Sequence, residues 1–241
     1  MLKTVKNFLL DFLYPALCIG CGQYLEKAET KVCYRCLTAP PRYDHLVCPT
    51  CLARSPKLTN TCHPKTKYLL AAATSYNEPV IQKIIRQFKY EGWQSLVEPL
   101  GDFLLHPLQK ILRISDILSI NLGEWLITPL PLHSKKQRER GFNQAELLAH
   151  YISNKTGVLL LKDNLVRVRN TLSQAELPDW QARENNVRDA FLVNNPEKIR
   201  GKNIILVDDV FTSGATLNEA VRVLKTTKAK KIIALVVARA R

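Results

Sequence analysis

Residues 204–217 read IILVDDVFTSGATL: an apolar run meets two adjacent carboxylates, and five small or hydroxylated residues follow before the next leucine. Four apolar residues without polar alternation describe a strand buried on both faces, as in a parallel sheet. Leu217, Ala220, Val221 and Leu224 then share one helical face, so the segment is a strand that turns into a helix. The same units recur along the chain. YLLAAATSY, WLITPLPL and KIIALVVA read as strands. EPVIQKIIRQFKY carries a helical stripe at Val80, Ile81, Ile84, Ile85 and Phe88. NQAELLAHYISNKTG carries another at Ala145, Leu148, Ala149 and Ile152, with Gly157 suited to its C-terminal cap, and a further helical stretch runs from about Val97 to Leu112. Alternating strands and helices predict an α/β fold with a mostly parallel sheet and helices on both faces.

In such a sheet ligands bind beyond the carboxyl ends of the strands, which is where Asp208 and Asp209 fall. Thr212, Ser213, Gly214, Ala215 and Thr216 precede the helix, whose N-terminus offers unpaired N–H groups and partial positive charge to a phosphate. Gly214 permits close backbone approach and the three hydroxyls add donors. Two carboxylates beside a phosphate seat would repel an anion, unless the ligand also carries hydroxyls or a cation. A sugar phosphate with a vicinal diol meets that condition, so the stretch is shaped for ribose 5-phosphate. Simple helix capping, or Mg²⁺ chelation with no sugar present, are the competing explanations of the same residues.

All seven cysteines fall between residues 18 and 62, as Cys18-x2-Cys21, Cys33-x2-Cys36 and Cys48-x2-Cys51 followed by Cys62. Each Cys-x2-Cys turn aims two thiolates at one ion, and two turns complete a tetrahedral zinc site. Cys18, Cys21, Cys33 and Cys36 are therefore expected to hold structural zinc, in a ribbon too small for a core of its own. Cys48, Cys51 and Cys62 supply three quarters of a second site, which His63 or His45 could complete or which could hold no metal; spacing alone does not exclude a crosswise pairing of Cys18 and Cys21 with Cys48 and Cys51. The composition shifts near residue 66, dividing the chain into a cysteine-rich module at 1–66 and the α/β domain at 67–241.

The formal charge of +14 favours a polyanionic partner or a phosphorylated substrate. No apolar run reaches the roughly 18–20 residues of a membrane span. The N-terminal MLKTVKNFLLDFLYPALC is interrupted by Asp11 and lacks a small-x-small cleavage site, so it reads as a short amphipathic helix. A cytoplasmic location is expected.

Three segments together are similar to the ComF family, competence-associated proteins resembling type I phosphoribosyltransferases. DDVFTSGAT resembles the phosphoribosyl pyrophosphate motif. ITPLPLHSKKQRERGFNQAELLA, 127–149, has the family's Pro-x-Pro and Arg-Gly-Phe-Asn-Gln signature. RVRNTLSQAELPDWQARENNVRDAF, 167–191, repeats its spacing at Arg169, Thr171, Gln174, Arg183, Asn186 and Phe191. Ser213 stands where threonine is usual, and Lys65 where an eighth cysteine is usual.

The resemblance implies that Asp208 and Asp209 hold the ribose hydroxyls and that Thr212 through Thr216 hold the 5-phosphate. It further implies that Lys135, Lys136, Arg138 and Arg140 face the pyrophosphate, carried as its Mg²⁺ complex, where a guanidinium can grip phosphate with two prongs. Asn143 would cap the helix that follows. Arg169, Gln174, Arg183 and Arg188 would lie on a mobile segment over the site. If catalysis occurs, Asp209 is the nearest proton acceptor. The family also implies a role in DNA uptake and natural competence, with single-stranded DNA and a protein of the competence machinery as partners. The basic residues Lys225, Lys228, Lys230, Lys231, Arg239 and Arg241 agree with that role, as do the aromatics Tyr34, Tyr43 and Trp180. The alternative is an active transferase that moves the phosphoribosyl group to an unidentified nucleobase or amine.

Overall fold

A computed structural model describes residues 15–25, 31–55, 62–117, 122–172 and 177–240. The expected N-terminal helix and Gln174 lie outside these residues, as does Arg241. The described elements run in the order α1 (Tyr34–Thr38), β1 (Leu46–Val47), β2 (Arg54–Ser55), β3 (Leu69–Ser75), α2 (Pro79–Tyr90), α3 (Val97–Ile117), β4 (Trp125–Pro129), α4 (Ser134–Arg140), α5 (Gln144–Thr156), β5 (Leu159–Leu160), β6 (Leu165–Arg167), α6 (Trp180–Val187), β7 (Phe191–Val193), β8 (Asn203–Phe211), α7 (Ala215–Thr226) and β9 (Ile232–Arg239).

The main sheet has the order β2-β1-β3-β9-β8-β4-β5. From β3 to β5 every pairing is parallel, while β1 and β2 add antiparallel strands at the β3 edge. The apolar runs become strands because both sheet faces are covered. Ile205 and Val207 join Ile127, Leu235 and the apolar stripes of α2, α3 and α5 on one face. Ile204 and Leu206 join Val236 and the α7 residues Leu217, Ala220, Val221 and Leu224 on the other. Helices α3 and α5 approach closely at Gly101, where an added Cβ would lie 2.2 Å from the Tyr151 ring.

Strand β8 is longer than its apolar run. It stays paired with β9 through Asp208↔Val236 and Phe211↔Arg239, so both aspartates belong to the strand and point to opposite faces. The basic run after Pro131 forms α4, ended by Gly141 at φ 80. Residues 165–193 build a separate antiparallel pair, β6 with β7, together with α6.

The cysteine-rich segment is joined to the sheet. Val47 pairs with Leu70, the Tyr43 amide donates to the Ala73 carbonyl at 2.8 Å, and Thr74 Oγ1 donates to the Pro41 carbonyl at 2.6 Å. Cys18, Leu25, Val32 and Cys36 are buried in the same apolar cluster as α2 and α3.

Candidate functional site

Strand parity sends the two aspartates different ways. Asp209 continues the row of Ile205 and Val207 toward α2, where Lys89 Nζ meets its carboxylate at 2.8 Å. Burial opposes the Lys89 charge, yet the Asp209 carboxylate beside it, with Asp208 behind, holds its pKa above that of an ordinary lysine. Asp208 continues the row of Ile204 and Leu206 on the other face. Burial and the neighbouring Asp209 charge push its carboxyl up to about 7, against the pull of Lys89, the Asp209 amide and Arg167. The carboxyl with raised proton affinity is thus Asp208, while Asp209 is engaged by an ammonium.

Immediately after Phe211 the chain turns into α7. Gly214 is its N-cap at φ 81, in the left-handed region, and the Ala215 amide donates to Ser213 Oγ at 3.3 Å. A Cβ here would also lie 2.9 Å from the Phe211 ring, so a larger residue would force that ring to shift. These features leave the first amides of a twelve-residue helix facing a cleft of about 840 Å³. All seven residues expected to hold a sugar phosphate, Asp208, Asp209 and Thr212 through Thr216, line that cleft.

Of the four α4 cations, Lys136 and Arg140 line the cleft, whereas Lys135 and Arg138 are not among its lining residues. Arg140 is steered from two sides. Its guanidinium lies 5.2 Å from the centre of the Tyr90 ring and donates to Gln144 Oε1 at 3.3 Å. Asn143 caps α5 as expected, accepting from the Ala145 amide at 3.1 Å while its own amide donates to the Leu130 carbonyl at 3.1 Å. From the segment over the site, Arg183 reaches the cleft. Arg169 instead donates to the Arg188 carbonyl, and Arg188 lines a second hollow of about 370 Å³ with Asp189, Glu219 and Arg222.

Four cleft cations, Lys83, Arg86, Lys89 and Arg167, escaped the sequence reading. Lys83, Arg86 and Lys89 recur every third residue opposite the apolar stripe of α2, and that spacing was the available signal. Arg167 ends β6, donates to Thr171 Oγ1 and lies 5.4 Å from the Phe191 ring centre. Burial depresses its pKa, and Asp208 partly restores it.

The cysteines gather into two clusters: Cys18, Cys21, Cys33 and Cys36, and Cys48, Cys51, Cys62 and His63. Crosswise pairing of the knuckles is not the arrangement found. His63 is the histidine beside the incomplete set, while His45 Nδ1 lies 3.6 Å from Asp44. Both donor sets fit zinc. Tetrahedral Zn–S bonds of about 2.3 Å put ligand atoms roughly 3.5–3.8 Å apart. Cys21 and Cys33 Sγ are 3.7 Å apart and Cys48 Sγ is 3.5 Å from His63 Nδ1, while Cys62 Sγ, 3.0 Å from Cys51 Sγ and 3.3 Å from His63 Nδ1, would move outward on an ion. Burial raises the Cys18 and Cys48 thiols, but nearby backbone amides outweigh it, those of Cys33, Cys21 and Gly20 for Cys18 and those of Cys51 and Thr50 for Cys48, and bring both to about 6.

Among the DNA-directed expectations, Tyr34 and Trp180 are exposed, and Tyr43 is covered by Arg239 at 4.8 Å. Lys225 donates to the Ala229 and Lys230 carbonyls, and Lys230 pairs with Glu124 at 3.6 Å. Among the described residues no helix is long and apolar enough to cross a membrane.

Residues 140–241, which carry β8, the glycine turn and α7, match the phosphoribosyl transferase domain family. Over 223 residues the chain is 26% identical to the DNA utilization protein YhgH of Salmonella typhimurium, covering 87% of this chain and 91% of that one. It is 25% identical over 230 residues to the competence protein ComFC of Bacillus subtilis, covering 91% and 85%. It is 28% identical over 217 residues to competence protein F of Haemophilus influenzae, covering 90% and 87%. Over most of its length the chain is similar to these competence and DNA-utilization proteins. The cysteine clusters and the parallel sheet accompany one another in this chain, as the resemblance implied.

Proposed function

We propose that this protein binds ribose 5-phosphate and phosphoribosyl pyrophosphate in the cleft, and acts in DNA uptake with single-stranded DNA as a partner. The observation that carries the reading is Asp208 lining the same cleft as the Gly214-led N-terminus of α7. Carboxylate oxygens accept from a ribose diol, and helix amides with the hydroxyls of Thr212, Ser213 and Thr216 donate to the 5-phosphate. Each such bond to a charged group contributes about 1.5–3 kcal/mol. Lys136, Arg140 and Arg183 supply positive charge for a pyrophosphate arriving as its Mg²⁺ complex, with Lys135 and Arg138 adding to the field from α4. Cytoplasmic phosphoribosyl pyrophosphate would be the ligand in the cell, and a protein of the competence machinery a further partner.

The test is a thermal-shift comparison of ribose 5-phosphate and phosphoribosyl pyrophosphate with other sugar phosphates, with and without Mg²⁺. Selective binding at a hundredfold excess over Kd stabilises by about 2.7 kcal/mol. Equal shifts for hexose phosphates would remove the diol assignment. For the DNA arm, raising salt from about 50 to 200 mM must weaken single-strand binding roughly a hundredfold or more, the loss expected when about six phosphates are neutralised. A flat response removes that arm.

A second reading, an active transferase, is favoured by Asp208 sitting near 7. Pyrophosphate would leave the anomeric carbon as a nitrogen nucleophile forms the C–N bond, and Asp208 would take the nitrogen's proton in preference to the Lys89-paired Asp209. Pyrophosphate release across a nucleobase panel tests it.

A further inference from the structure

We propose that Tyr68 is a positioning residue that makes the N-terminal turn of α7 depend on the Cys48–Cys51–Cys62–His63 metal centre. This rests on the reading of that turn as the phosphate seat.

Tyr68 is 4% exposed and stands between the two places. Its hydroxyl donates to Asn218 Oδ1 at 2.9 Å, and the backbone N–H of the same Asn218 donates to the Gly214 carbonyl at 2.8 Å, the first helical bond of α7. The same hydroxyl is 3.6 Å from where a Cβ on Gly214 would be, so it lies directly against the turn. On its other side Tyr68 belongs to an apolar cluster with Val47, Leu70, Phe211 and Leu217, against which Leu52 packs. Val47 and Leu52 flank the Cys48-x2-Cys51 knuckle. Five residues before Tyr68 comes His63, in a turn closed by the Thr66 amide on the His63 carbonyl at 2.9 Å. Thr66 Oγ1 lies 2.8 Å from Thr50 Oγ1, inside the knuckle. An ion that joins Cys62 and His63 to Cys48 and Cys51 therefore closes a loop ending at the residue pair that aims Tyr68. Releasing it returns closure entropy to that loop and loosens the approach of Tyr68 to Asn218. The Cys18 cluster packs instead on the α2 and α3 side of the sheet, so the two ions would have separate effects.

The experiment compares wild type, Tyr68→Phe, His63→Ala, His63→Cys and the Tyr68→Phe/His63→Ala double variant. Zinc content, amide hydrogen exchange at residues 212–218 and calorimetric ribose 5-phosphate affinity are read on each. His63→Ala is expected to drop from two zinc ions per chain to one, to raise exchange across the turn about tenfold and to weaken the sugar phosphate roughly three- to tenfold, the scale of one hydrogen bond. His63→Cys restores all three. Tyr68→Phe keeps both ions yet shows the same faster exchange, and the double variant is no worse than Tyr68→Phe alone. His63→Ala retaining both ions, wild-type exchange after loss of one, or additive losses in the double variant overturns the proposal. Should His63→Ala not fold, Tyr68→Phe decides: wild-type exchange at the turn overturns the relay. If wild type binds no ribose 5-phosphate, the phosphate-seat reading falls, while hydrogen exchange still decides the coupling.

Discussion

Replacing Lys89 by methionine removes the ammonium 2.8 Å from Asp209 while keeping most of the side-chain volume. At an effective dielectric near 20 the bare attraction is about 6 kcal/mol. Part of that offsets the cost of holding Lys89 out of water, and breaking a buried pair typically costs about 3–5 kcal/mol. The Lys89 side chain is 22% exposed, so the lower end, about 3 kcal/mol at pH 8, is expected. The loss depends on pH through Asp208. Its folded pKa of about 7 is raised above the unfolded value of 3.8, so it binds its proton more tightly when folded, and that contribution fades as pH rises through 7. Lys89 pulls the pKa down, so the variant's Asp208 sits higher still, which adds about 1 kcal/mol at pH 8 for a one-unit rise, saturates at about 1.4 kcal/mol once the carboxyl stays protonated there, and adds almost nothing at pH 5. Urea unfolding of both proteins at the two pH values, with zinc present throughout, measures the difference. A cost under about 1 kcal/mol at pH 8, or the same cost at both pH values, refutes the assignment of the pair.

Asp208→Asn removes the titrating group, so the stability that wild type loses between about pH 4 and 7 should become flat in urea titrations; an unchanged slope means another group titrates there. Gly214→Ala meets both a left-handed backbone and the Phe211 ring, and should cost about 2 kcal/mol in unfolding free energy together with a measurable loss of ribose 5-phosphate affinity. Cys33→Ser should lower metal content by one zinc per chain and reduce thermal stability, read by elemental analysis and calorimetry.

The parallel sheet was legible because its central strands are apolar on both faces, and α2 and α5 because their stripes follow the helical period. The acidic pair was legible as a type of site but not in its division of labour. A run such as IILV gives no reason to stop a strand or to continue it, and only the pairing of Asp208 with Val236 and of Phe211 with Arg239 sets the parity that turns one carboxylate toward Lys89. Lys135, Lys136, Arg138 and Arg140 looked equivalent as a basic run. Winding into α4 brings Lys136 and Arg140, four residues apart, to the cleft. His63 and His45 were both open by spacing, and the fold sets His63 against Cys48 and Cys62 and His45 against Asp44. Lys89 lies 120 positions before Asp209, a separation no local pattern encodes.

The strip from Pro41 to Val47 lies along the outer rim of β3, and it is tethered at either end by a cysteine cluster. Beneath it runs LLAAATS, almost wholly apolar. Were this strip to come away from β3 when a chelator emptied the clusters, it would uncover hydrogen-bonding groups of the kind an added strand pairs with.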